Sequence, residues 1–326
     1  MTNISLKLAL DRYDRHFPFF DGTVKAPDGV DLNVLQVGQT VQLRDGEDRH
    51  ERMIHDKEFD ICEFSMASFL MAKSRDIPIT AIPIFPRRLF SQGLIFVSEE
   101  SDIDSPQALS GKRVALNSYQ TTLSVLARGD LKFEYGVPWE DIHWRVTAQE
   151  KIPFQTPPKA KIEFIDGRPD LGDLLESNQI DAFIHPHPPK SVTSGRVKVR
   201  SVFPFQKEEE LRYFKKNGYM PIMHVLAIRQ ELAEREPWVA SAVMDMYRQA
   251  MEISATYYED PNWSRLAWGR RYFEEERGLL GGNAWPIGLG ANRKNLERFI
   301  QYAADQGLLG RELAMDELFD PTTLNS

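Results

Sequence analysis

Short apolar runs alternate with amphipathic stretches along most of this chain, and that alternation limits the fold more than any other feature. ISLKLAL (4–10), GVDLNVLQV (29–37), FDICEFS (59–65), ITAIPIFP (79–86) and GLIFVSEE (93–100) have the length and β-branched content of strands. RHERMIHDKEF (49–59) and MASFLMAKSR (66–75) carry helical spacing, the second with Ser65 at its N-cap position. DSPQALSGKRVALN (104–117) reads as a helical turn and a strand. The order then repeats, with a helix over 118–136, strands over 142–147 and 161–166, a helix over 170–179 and a strand over 180–186. Residues 152–158 are rich in proline and read as loop. Helical patterns at 231–256, 262–278 and 292–305 follow YMPIMHVLAIR (219–229). This order predicts an α/β fold with mainly parallel pairing.

A length of 326 residues exceeds what one small core fills, so two lobes are expected. With crossings near 115–118 and 221–226, lobe one is 1–116 plus 225–326 and lobe two is 117–224. Two α/β lobes joined by two crossings suit the type II periplasmic-binding-protein-like architecture. That architecture puts the ligand in the inter-lobe cleft, and helix N-termini facing the cleft favour anions. The net charge of −8, with no basic block, argues against a nucleic-acid partner. Cys62 is the only cysteine, which excludes an intrachain disulfide and a zinc site of two or four cysteines; it reads as buried packing. The N-terminal apolar run is broken by charge, and no apolar run reaches 18 residues, so neither a leader nor a membrane span is expected and the location is read as cytoplasmic.

Several residues have the chemistry of a site. DAFIHPHPP (181–189) sets His185 and His187 one residue apart, pointing the same way in an extended chain. They form a metal clamp, an acid/base device or a proline-stiffened strand exit. His224 stands at the second crossing and is read either as a cleft residue or as a satisfied core histidine. Arg87 and Arg88 in FPRRLF offer a guanidinium fork for a carboxylate, with Arg87 favoured. Ser65, Ser68, Ser118, Thr121 and Thr122 put hydroxyls where helices start, as caps or as an anion cradle. Tyr119 and Gln120 add a ring contact and a polar anchor. Glu63 is either a buried carboxylate tuning a histidine or a lobe-surface residue. Asp11, Tyr13 and Asp14 follow the first strand as cleft residues or as solvated loop. An alternative gathers His185, His187, His224 and Glu63 around one divalent metal ion.

The stretches YDR (13–15), EFDICEFSMASFL (58–70), IPIFPRRLF (82–90), LSGKRVALNSYQTT (109–122), DAFIHPHPP (181–189), YMPIMHVLAIR (219–229), ANRKNLERFIQYAADQGLLGREL (291–313) and DELFDP (316–321) run through nearly the whole chain. In this order they resemble the 4,5-dihydroxyphthalate decarboxylase family. The chain departs from that pattern at Ser118, where an acidic residue is expected, and at His185 and His187. The resemblance implies a homo-oligomeric carboxy-lyase acting on a hydroxylated aromatic acid, most simply 4,5-dihydroxyphthalate, without a redox cofactor. A base near the phenol and an acid near the carboxylate-bearing carbon would serve that reaction, and histidine suits both near neutral pH. The expected roles are proton exchange by His185 and His224, with His187 as an auxiliary or metal ligand. Arg87 and the hydroxyl-bearing helix starts would hold carboxylates. Two other readings are a solute-binding protein for a small anionic or aromatic ligand, and a cofactor-precursor enzyme of the same superfamily.

Overall fold

The structure is a computed structural model that describes residues 4–38 and 49–326. It divides into two compact units. The first comprises Met1–Arg88, His224–Lys294 and Leu313–Ser326, and the second Leu89–Met223 and Asn295–Glu312.

Among the described residues eleven strands form two sheets. In chain order they are β1 (Ile4–Leu10), β2 (Val30–Gln36), β3 (Ile61–Ser65), β4 (Ile79–Ile82), β5 (Ile95–Ser98), β6 (Arg113–Leu116), β7 (His143–Val146), β8 (Lys161–Phe164), β9 (Ala182–Ile184), β10 (Val199–Ser201) and β11 (His224–Arg229). The first unit holds the sheet β2-β1-β3-β11-β4 and the second the sheet β10-β5-β9-β6-β7-β8. The expected α/β class is present, but the sheets are mixed. β1 is parallel to β2 and β3, and β6 is parallel to β7 and β9. β11 runs antiparallel to β3 and β4, and β5 antiparallel to β9 and β10. The antiparallel strands β5 and β11 are the first strands after the chain passes from one unit to the other.

The sheets also correct the domain boundaries. β5 and β6 flank β9 in the second sheet, so the first boundary falls after Arg88 and not at 116/117. Most of the helix Arg293–Asp305 belongs to the second unit, whereas a last crossing near 221–226 would leave it in lobe one. Its Tyr302 fits against Gly129, where a Cβ would stand 2.1 Å from the ring. Helical spacing marks a buried face without saying which core receives it. The pattern over 231–256 is two helices, Gln230–Arg235 and Trp238–Tyr257, because Pro237 cannot donate to the helix ladder and disfavours helical backbone at Glu236. The strand β10 and the helix Gln206–Asn217, which stops at Gly218 in left-handed backbone, lie in a stretch the sequence left unassigned. Among the described residues no helix is long and apolar enough to cross a membrane.

Central position explains the burial of β3. Every residue of ICEFS is inaccessible or nearly so, including Cys62 and Glu63 at 0 % exposure. The first unit's core packs Leu6, Leu8, Ile61, Leu226 and Ile228 against Val239, Val243 and Tyr247 of the long helix. Each such side chain contributes about 1.5–3 kcal/mol by leaving water.

The second unit buries a carboxyl of its own. Asp130 accepts hydrogen bonds from Ser91 (2.6 Å), Tyr213 (3.2 Å) and Tyr302 (3.1 Å). Burial pushes its pKa up to about 7, against the pull of those three hydroxyls and with the help of nearby Glu134. A carboxyl whose pKa is raised on folding binds more protons when folded. Stability is therefore expected to fall as pH rises from about 4 to about 7, by up to about 4 kcal/mol, and to level off above. Asp130→Asn should flatten that slope in urea-unfolding midpoints measured against pH.

Candidate active site

The register of one antiparallel ladder builds the first unit's site. β11 pairs with β3 so that His224 faces Ser65 and Leu226 faces Glu63. Residues directly opposite share a face, as do residues two apart, so Glu63 and His224 are diagonal neighbours on one side of the sheet. His224 Nδ1 donates to Glu63 Oε1 in a short contact between groups that are 7 % and 0 % exposed. The His224 backbone N–H donates to the Arg87 carbonyl at 3.2 Å, which holds Arg87 beside it.

A carboxylate this deep must be paired. Glu63 Oε2 accepts the Asp11 backbone N–H at 3.0 Å, just past the end of β1. Arg49, at the start of the helix Arg49–Ile54, brings Nη1 to 3.7 Å from the same oxygen. Burial drives the Glu63 pKa upward, but Arg49 and His224 outweigh it and hold the carboxyl well below its ordinary value. Burial likewise outweighs the pull of Glu63 on His224 and sets the imidazole below its ordinary value. At neutral pH the pair is therefore a carboxylate hydrogen-bonded to a neutral imidazole. Because Nδ1 carries the proton to Glu63, Nε2 keeps its lone pair. This is the arrangement of a general base whose cationic form is stabilised by an adjacent carboxylate.

Tyr13 and Asp11 border the pair. The Tyr13 hydroxyl donates to Asp11 Oδ2 at 3.3 Å, and the Arg15 guanidinium lies over its ring at 4.1 Å. Burial raises the Tyr13 pKa, with Glu63 adding to the effect. Asp14 is engaged by Arg15 and by the Tyr258 hydroxyl. Gly38 abuts Asp11, and a Cβ there would lie 2.2 Å from Asp11 Oδ1. Gly38→Ala must displace that carboxyl, at a cost of about 1–3 kcal/mol for overpacking. Turnover by this variant should fall further than its unfolding midpoint indicates.

Two buried histidines beside the site carried no expectation from sequence. His50 accepts the Ser65 backbone N–H on Nε2 at 3.1 Å and lies over Phe64. His16 donates from Nδ1 to the Asp11 carbonyl at 2.7 Å and accepts the Tyr247 hydroxyl on Nε2 at 2.6 Å. Burial lowers the His16 pKa to about 4, so it is a satisfied core imidazole. Arg49 was missed as well. The only signal for Arg49 and His50 was their place in an amphipathic stretch, which looks solvated.

Other expected site residues have structural partners instead. Arg88 is 2 % exposed and donates to Asn292 Oδ1 (2.6 Å) and the Pro286 carbonyl (3.2 Å), so it pins a loop while its neighbour Arg87 stays half-buried. In the second unit the backbone N–H groups of Tyr119 and Gln120 donate to Glu150 at 2.6 and 3.1 Å. The chain's own carboxylate thus occupies the cradle assigned to a ligand. Gln120 exchanges hydrogen bonds with the backbone of Ile152, and Tyr119 stacks with Phe154 and meets the Arg128 guanidinium across its ring. Thr121 shares a hydrogen bond with Ser124 at 2.6 Å, while Ser118 and Thr122 are buried. In the first unit Ser65 and Ser68 stay at the start of the helix Met66–Lys73, each 9 % exposed.

His185 and His187 also lie in the second unit. His185 Nδ1 meets the His187 carbonyl at 2.5 Å, the two rings stand 6.2 Å apart, and His187 is exposed. The pair closes on its own backbone at the proline-bounded strand exit. Among the described residues no three His, Cys, Asp or Glu side chains gather as metal ligands; Glu63 and His224 lie in the first unit, His185 and His187 in the second. Cys62 is buried, as expected.

Two mixed α/β sheet units, one of them carrying a buried carboxylate–imidazole pair, have the fold of periplasmic binding proteins. The sulfonate-binding protein SsuA of Methylobacillus flagellatus KT, described as a putative transporter component, superposes with a TM-score of 0.61 at 12 % identity, over 99 % of this chain and 93 % of that one. No family model matches the chain. The 4,5-dihydroxyphthalate decarboxylase of Comamonas testosteroni is 30 % identical over 335 residues, covering 100 % of this chain and 99 % of that one. The enzyme of the same name from Pseudomonas putida is 30 % identical over 210 residues, covering 62 % and 78 %. This chain belongs to the 4,5-dihydroxyphthalate decarboxylase family.

Proposed function

We propose that the chain converts 4,5-dihydroxyphthalate to protocatechuate and CO₂, with Glu63 and His224 as its acid–base pair. The observation that carries this reading is the Nδ1 contact from His224 to a buried, ionised Glu63, which leaves Nε2 as a base. Passive capture of an anion has no need of a proton acceptor. In this substrate each hydroxyl is para to one carboxylate. His224 takes the phenolic proton, and ring electrons move to the para carbon. That carbon gains a proton, its bond to the carboxylate breaks, the ring rearomatises as CO₂ leaves, and the phenolate takes its proton back from His224. One C–C bond is lost, one C–H bond forms, and one proton is consumed per turnover with no change of oxidation state in any partner. The favoured mechanism therefore calls for no redox cofactor and no metal.

Arg87, half-buried beside His224, is proposed to hold a carboxylate. His185 is the candidate for the second proton transfer, and His187→Ala should leave turnover near the wild-type rate. Self-association and a cytoplasmic location complete the proposal, to be checked by sedimentation and by cell fractionation. The deciding experiment follows protocatechuate chromatographically from purified protein and 4,5-dihydroxyphthalate, with and without a chelator. Product in both conditions supports the metal-free reading. Loss of product with chelator reinstates a metal. Absence of product in both, with a thermal shift on adding the compound, favours a binding protein.

A further inference from the structure

We propose that Arg49 is a second carboxylate-binding residue of this site, holding the substrate carboxylate that is retained in the product. The inference rests on the decarboxylase reading and adds a residue to it.

The guanidinium of Arg49 is 3 % exposed. Its Nη1 is used, donating to the Val37 carbonyl at 2.5 Å and standing 3.7 Å from Glu63 Oε2. Its Nε and Nη2 are buried and have no hydrogen-bond partner among the described residues. These two nitrogens form one side of the guanidinium fork, the side that grips a planar oxyanion with two parallel hydrogen bonds. A buried cation with one whole edge unsatisfied bears the full desolvation penalty of those N–H groups, and native proteins keep such edges where something else completes them.

Position says what completes it. Arg49 and Arg87 both act electrostatically on the His224 imidazole and on the Tyr13 phenol, so the two cations border one site. An ortho-dicarboxylate brings two adjacent anions. Arg87 is half-buried and Arg49 is buried. A carboxylate that leaves as CO₂ loses its charge in the transition state, so a strong, desolvated grip on it would slow the step. The buried fork therefore suits the carboxylate that stays, and the half-buried Arg87 suits the other.

The test uses phthalate and benzoate, which lack the para hydroxyl and so bind without reacting. Their dissociation constants are measured by calorimetry on wild type, Arg49→Lys and Arg87→Lys. Wild type should prefer phthalate. Arg49→Lys should weaken phthalate at least tenfold while leaving benzoate within about twofold, because lysine keeps the charge but loses the fork. Arg87→Lys should retain part of the preference. The proposal is overturned if Arg49→Lys weakens both ligands equally, which is the signature of mere support for Glu63. It is equally overturned if phthalate binding is unchanged, if wild type shows no preference, or, should Arg49→Lys not fold, if Arg87→Lys alone abolishes the preference. Wild type that binds phthalate as described but yields no protocatechuate would sink the decarboxylase reading and leave Arg49 as an anion-binding residue.

Discussion

His224→Gln is expected to lower kcat by a factor on the order of 10²–10⁴, the usual contribution of a positioned proton-transfer group. Glutamine can still donate a hydrogen bond to Glu63, so the core should stay paired and the unfolding midpoint should move little. The loss is chemical, because the amide has no lone pair basic enough to take a phenolic proton. A pH profile separates this role from a structural one. The active form is neutral His224, whose pKa burial sets below its ordinary value. In wild type the rate should climb as pH rises through that value and be flat by neutral pH. The variant should lose this limb. Unchanged kcat in a folded His224→Gln would remove His224 from the mechanism.

Glu63→Leu should have the largest effect on stability. It leaves the Arg49 guanidinium buried without its carboxylate and takes the acceptor from His224. Breaking a buried pair by removing one partner costs about 3–5 kcal/mol. Its pH dependence has a definite sign. Because the folded-state pKa of Glu63 is depressed, its stabilisation is present above the unfolded carboxylate value and is lost as pH falls through the folded one. His224, also depressed, binds its proton more readily when unfolded and adds to acid lability below its ordinary value. Wild type should therefore lose stability on acidification more steeply than Glu63→Leu, in the direction opposite to the Asp130 effect. Glu63→Gln, which keeps an acceptor for Nδ1, should cost less. Combining it with His224→Gln should lower kcat little beyond His224→Gln alone, since the two act as a unit. Chemical denaturation across pH 3–8 and steady-state kinetics check these outcomes, and additive losses in kcat would break the pairing argument.

The two residues at the centre were legible to different degrees. His224 stood out by its place at a crossing, and Glu63 by its burial in an apolar strand run. Their contact was open until the β3–β11 register was known, because the two are separated by 161 positions. The sequence favoured Arg87 over Arg88 for a carboxylate, and the structure ties Arg88 to Asn292 while Arg87 stays half-buried. His185 and His187 stand out in sequence as a pair, and only the structure shows the His185 imidazole against the His187 carbonyl.

Local physics reached far where it is short-ranged. Period-2 and period-3.6 patterning determined most of the strand and helix order, though not β10, the helix Gln206–Asn217 or the break at Pro237, and the motif order pointed to the family. The tertiary structure alone decided which strands share a sheet, so that β5 and β6 joined the second unit. It likewise decided that the cradle at Tyr119 and Gln120 is filled by Glu150, and that Arg49 meets Glu63. Periodicity records that a face is buried but carries no label for its partner. Strand register and the pairing of buried charges are settled by long-range packing, where a one-residue slip would turn Glu63 to the other face of the sheet.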